Sequence, residues 1–247
     1  MLRSTFIISV FFFLYACSAT VIKENPEKTS VFDPSRNRTI PIAIYPAKGP
    51  IKKSEVVIFS HGYNHNEGSP YLGYTFLCKH LAKKGYMVVS IQHEDPNDSL
   101  LVKEGDPRIV RRPNWEKGVK NIDVVLDSLF KKYNWPEMQQ FILIGHSNGG
   151  DMSALYADKH PSHISKLITL DHRRYPLARV SHPELLTLRS SDFTADEGVL
   201  PDSTKAAELG MQIIQMKDVK HNDMTDEGTS AQKAEILQYI DKFLSKK

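Results

Sequence analysis

The 247-residue sequence contains only two cysteines, Cys17 and Cys78, which excludes the small secreted folds stapled by several disulfides. It has little net charge: 32 basic and 29 acidic residues leave a formal +3. That charge is too small and too evenly spread to suggest a nucleic-acid partner. Internal repeats and low-complexity tracts are also missing. What remains is ordinary globular composition, 40% hydrophobic and 25% charged. This suits one α/β domain large enough to bury a full core.

The amino-terminal segment stands apart. Arg3 precedes an apolar run over residues 6–15, too short to span a bilayer comfortably and suited to the core of a signal peptide. Residues 1–17 are therefore expected to form a signal peptide. Leu14-Tyr15-Ala16-Cys17 resembles a bacterial lipobox, which makes Cys17 a lipidation candidate and a point of membrane attachment. The alternatives are a plain signal peptide cut near Ala16–Ala19 and an uncleaved anchor. Export is expected either way: periplasmic or membrane-anchored in a bacterium, secreted otherwise. Residues 18–29 read as a tether and 30–247 as the folded domain.

Along that domain, Ile40, Ile42 and Ile44 alternate with Pro41, Ala43 and Tyr45, the period-two signature of a strand. Further strands are expected over 55–59, 86–91, 141–144, 166–170, 184–188 and 211–216. Helices are expected over 70–84, 151–160 and 230–244. Another runs from Pro113 through the stripe Val119, Ile122, Leu126 and Leu129. Residues 93–112 form a polar excursion without clear periodicity. Strands alternating with helices predict a mostly parallel sheet covered on both faces. Ligands meet such a sheet at the carboxyl ends of its strands.

The most informative stretch is Phe141-Ile142-Leu143-Ile144 leading into Gly145-His146-Ser147-Asn148-Gly149-Gly150. A buried strand, a Gly-x-Ser-x-Gly turn and a helix together make a nucleophile elbow. Ser147 is expected in a strained turn with positive φ, and side chains at Gly145 or Gly149 would collide across it. A serine hydroxyl is a poor nucleophile near neutral pH, so it needs a base and a group that orients the base. Of ten histidines, His221 alone follows a late strand and lies after both the serine and an acid. His61 and His146 adjoin the oxyanion and nucleophile positions and read as shaping the site; His160, His163, His172 and His182 read as solvated. For the acid, Asp192 directly follows the strand at 184–188 and is the first choice, with Asp196 and Asp171 as alternatives. Oxyanion donors are expected from the backbone amides of Asn148 and of Tyr63, in the loop Ser60-His61-Gly62-Tyr63. The basic stretch 108–112 and the pair Arg173-Arg174 read as solvated charge in preference to contacts for an acidic substrate.

With those residues placed, the chain resembles the α/β-hydrolases, and within them the branch of dienelactone-hydrolase-like proteins and platelet-activating-factor acetylhydrolases. The resemblance rests on residues 32–41, Val57-Ile58-Phe59-Ser60-His61-Gly62, residues 81–86, residues 121–126 and the elbow. Two departures are a serine where dienelactone hydrolases carry cysteine, and Asn148 where many relatives carry Phe, Met or Leu. The region 171–182 is too short for a cap domain. The resemblance implies an α/β-hydrolase fold with no large cap and an open cleft. It also implies cleavage of small-molecule carboxylic esters through an acyl-enzyme, without metal or organic cofactor. A peptidase or amidase on the same scaffold and a non-catalytic binding protein are the competing readings.

Overall fold

The computed structural model describes residues 25–47, 56–135 and 140–245. The expected signal peptide, Cys17 and most of the tether lie outside these residues. Eight strands form a single sheet in the order β1-β2-β4-β3-β5-β6-β7-β8. They are β1 (Glu27–Asp33), β2 (Arg38–Tyr45), β3 (Val56–Ser60), β4 (Met87–Ile91), β5 (Phe141–His146), β6 (Ile164–Leu170), β7 (Glu184–Arg189) and β8 (Gln212–Gln215). The β1–β2 and β2–β4 pairs are antiparallel, and the rest are parallel.

Side-chain alternation explains the layering. On β2, Ile40, Ile42 and Ile44 pack into one core while Ala43 and Tyr45 enter the other. On β5, Phe141 and Leu143 face the first core, Ile142 and Ile144 the second. The first core is closed by α3 (Arg112–Tyr133) and α4 (Ser147–Lys159), the second by α1 (Thr75–Lys83) and α6 (Ser230–Leu244). The remaining helices are short: α2 (Pro107–Val110) inside the polar excursion and α5 (Ser203–Glu208) before β8. Helix α6 begins where expected because Thr229 and Gln232 form a reciprocal capping box.

Four elements depart from the expectation. The helix expected over 70–84 is a 3-10 turn at Pro70–Leu72 followed by α1, and α2 forms inside the polar excursion. β1 begins at Glu27, so residues 27–29 belong to the sheet and not to the tether. Four of its seven side chains are exposed in succession, which is why its sequence reads as polar linker. Helix α5 is a six-residue element started by an Asp202 cap and buries only Ala206, too little to show a period.

Strand order reverses at β3, which has β4 on one side and β5 on the other. Ser60 at the end of β3 pairs in register with Gly145 of β5. The His61-Gly62-Tyr63 loop and the Ser147 turn are thereby held side by side at the switch point, where open α/β sheets bind ligands.

Candidate active site

Ser147 opens α4 with φ of 53°, a left-handed conformation that costs an L-residue roughly 1–2 kcal/mol. The turn tolerates no side chain at its flanking glycines. A Cβ on Gly145 would strike the Gly149 carbonyl, and one on Gly149 would strike the His61 and Ser60 carbonyls. Gly62 approaches as closely: a Cβ there would lie 2.9 Å from His146 Nδ1 and 3.2 Å from Ser147 Cβ.

His221 follows β8 and sits against the elbow. Its Nε2 is 2.9 Å from Ser147 Oγ, and its Nδ1 is 2.5 Å from Asp171 Oδ2. A carboxylate on Nδ1 fixes the tautomer: Nδ1–H donates to Asp171, leaving Nε2 to accept from the Ser147 hydroxyl. Asp171 lies just past β6, fully buried, with φ of 50°. It also accepts from Ser190 N at 3.0 Å and Ser190 Oγ at 2.7 Å, and pairs with Arg189 Nη2 at 3.0 Å. Burial alone would raise its pKa. The His221 hydrogen bond, the Arg189 charge and the Ser190 donors outweigh burial and hold the carboxyl below its usual range.

The carboxylate on the His221 ring is thus Asp171, one of the two alternatives, and not the first choice, Asp192. Asp192 is exposed, and its Oδ1 accepts from the His221 backbone N–H at 2.7 Å; it holds the loop and not the ring. The cause is the path of the chain after β7. Ser190 turns back onto Asp171, Ser191 N bonds the Val219 carbonyl at 2.8 Å, and the next residue has already reached the surface. Asp196 is farther out, exposed, with its backbone N–H on the Arg173 carbonyl.

His146 shapes the site from behind. Its Nε2 lies 3.1 Å from the His221 carbonyl and its Nδ1 2.8 Å from Tyr74 Oη, which accepts from Gly62 N at 3.0 Å. A carbonyl can only accept, so Nε2 carries the proton and Tyr74 donates to Nδ1. Burial, followed by the charge of His221, lowers the His146 pKa to about 3, so it serves as a neutral strut. One chain of hydrogen bonds therefore ties the Gly62 loop to the His221 loop. Tyr74 lies at the start of α1, with no motif around it that marks it in the sequence.

His61 is held likewise, with Nδ1 2.8 Å from the Gly62 carbonyl and Nε2 accepting from His93 N at 3.0 Å. Tyr63 N follows Gly62 at the cleft, and its hydroxyl turns away to accept from Leu101 N at 3.1 Å. The Asn148 amide lies in the first turn of α4, where N–H groups lack intrahelical partners. The Asn148 side chain points inward, accepting from Trp115 Nε1 at 2.9 Å and donating to Asn114 Oδ1 at 2.8 Å. The polarity of its side chain is therefore spent on anchoring α3 to the elbow. His172, expected to be solvated, is instead fully buried beneath Gly150, and burial lowers its pKa to about 3.

The cleft over Ser147 holds about 420 Å³ and is bordered by Gly62–Asn64, Pro70, Tyr74, His221 and residues 225–227. Such a constellation can carry out nucleophilic acyl transfer. Among the described residues, no helix is long and apolar enough to cross a membrane.

Residues 51–170 match the family described as serine aminopeptidase, S33. No curated protein matches the chain. Among solved structures, an α/β serine hydrolase without lid from Xanthomonas campestris is similar, with a TM-score of 0.59 at 14% identity, covering 90% of this chain and 97% of that one. A butyrate-bound esterase from Thermogutta terrifontis gives 0.60 at 11% identity, covering 90% and 95%. An acylaminoacyl peptidase from Pyrococcus horikoshii gives 0.62 at 14% identity, covering 90% of this chain and 41% of the larger one.

Proposed function

We propose that this chain, which has the α/β-hydrolase fold, is a serine hydrolase that cleaves small carboxylic esters. The observation that carries the reading is the relay from Ser147 Oγ through the His221 ring to Asp171, at 2.9 and 2.5 Å. Ser147 attacks the ester carbonyl while His221 Nε2 takes its proton. Asp171 keeps the ring oriented and stabilises the imidazolium. The Tyr63 and Asn148 amides receive the oxyanion, a contribution of roughly 3 kcal/mol per donor. His221 then protonates the departing alcohol, and water enters by the same path to release the acid.

Among the described residues no cap domain covers the cleft, which supports short or exposed acyl groups. The serine aminopeptidase description of the matching family supports a second reading, amide cleavage by the same groups. A fluorophosphonate probe tests the nucleophile: rapid labelling is expected, abolished in Ser147→Ala and strongly slowed in His221→Ala. Absence of labelling in the native chain would overturn the reading. Acetyl-to-decanoyl esters compared with aminoacyl amides separate the two substrate classes. We also propose that the protein is exported, a reading supported by the sequence of residues 1–17; mass analysis of the mature amino terminus tests both export and a lipid on Cys17.

A further inference from the structure

Among the described residues, most arginines are partnered. Arg36, Arg38, Arg108, Arg112 and Arg189 each meet a carboxylate, and Arg179 is held by the carbonyls of Leu177 and Gly198. Arg111, Arg173 and Arg174 form no ion pair or side-chain hydrogen bond among the described residues, and the buried Nε atoms of Arg111 and Arg174 have no acceptor. These three are also neighbours. Their charges depress one another: burial and then Arg174 lower the pKa of Arg111, and burial and then Arg174 lower that of Arg173. The nearby carboxylates Asp151 and Asp196 offset part of that charge at a distance, but neither meets a guanidinium directly. Asp151 accepts from the backbone N–H groups of Arg174 and Tyr175, both at 2.9 Å, and Asp196 is exposed to solvent.

Contacts link two of the three to residues beside the base and the nucleophile. The Arg173 guanidinium stacks 4.0 Å above the Phe193 ring, and that ring meets His221 edge-on at 5.3 Å. Arg111 lies one turn before Trp115, whose indole N–H bonds Asn148, the residue after the nucleophile. Three crowded, half-buried guanidinium groups with no carboxylate in direct contact are costly to hold together. Their planar forks are shaped for carboxylate oxygens.

Resting on the hydrolase reading above, we propose that Arg111, Arg173 and Arg174 form an anion subsite that selects esters bearing a carboxylate. The substrate is a half-ester of a short dicarboxylic acid, its ester carbonyl at Ser147 and its free carboxylate on the arginines. Arg108 and Arg112 of the same basic stretch pair with Asp106 and Glu116 and take no part in the subsite.

The test compares p-nitrophenyl butyrate with the p-nitrophenyl monoester of glutaric acid. The native chain is expected to favour the anionic ester in kcat/KM by tenfold or more, and added salt should shrink the preference. Arg174→Gln and Arg111→Gln should each lower the ratio of the two values about tenfold, with Arg174→Lys recovering part of it. A ratio near one, or a ratio that these substitutions leave untouched, would overturn the subsite. If neither ester turns over, the hydrolase reading fails on its own. The subsite is then read by calorimetry with free glutarate on Ser147→Ala: binding that Arg174→Gln removes supports it, and no binding overturns it.

Discussion

Asp171 and Asp192 both reach His221, yet they do different work. Asp171 is buried, charge-compensated by Arg189, and holds the ring; Asp192 is exposed and holds the backbone N–H of the same residue. In the proposed mechanism the imidazole becomes positive, and it then gains most from a carboxylate kept dry, where attraction is little screened. A solvated carboxylate at the loop surface can fix where the loop lies but contributes little to the charge. Proximity in sequence to a strand end does not separate the two roles, whereas burial and a compensating cation do.

The contrast is broken most severely by Asp171→Asn. An amide there favours the wrong tautomer of His221, and kcat should fall about 10³- to 10⁴-fold, measured on an acetyl ester with folding checked by circular dichroism. Next comes Arg189→Met, which leaves Asp171 charged and buried without its cation. Thermal and urea unfolding should show a loss of about 3–5 kcal/mol. Tyr74→Phe removes the hydroxyl between Gly62 N and His146 and strands buried groups. Its cost should be about 1–3 kcal/mol in the same unfolding measurement.

Asp151 sharpens the comparison through pH. Burial raises its pKa to about 6 despite the Tyr175 and Arg174 N–H donors. The unfolded chain releases this proton earlier, so the contribution is present below pH 4 and lost as pH rises through about 6. Wild-type minus Asp151→Asn stability should decline across that window, and a flat difference would contradict the assignment. The smallest effect belongs to Asp192→Asn: one oxygen can still accept from His221 N–H, and kcat should change less than tenfold.

The fold was largely legible because its period-two strands and capped helices report local burial. Ile40, Ile42 and Ile44 and the Thr229–Gln232 cap are examples. β1 escaped because an edge strand with exposed side chains has no apolar period. Ser147 and His221 were legible from a turn motif and a late strand. Asp171 was only an alternative because its decisive partners, Arg189 and Ser190, lie on the next strand and its end. Nothing in the sequence around Asp171 announces that β7 will deliver them. His172 misled for the same reason: only the close approach of Gly150 buries it.

The most direct measurement of who holds the imidazole is the low-field proton NMR signal of His221 Nδ1–H. A strongly deshielded resonance should be present in the native chain, persist in Asp192→Asn and vanish in Asp171→Asn. A resonance that survives in Asp171→Asn and disappears in Asp192→Asn would contradict the account.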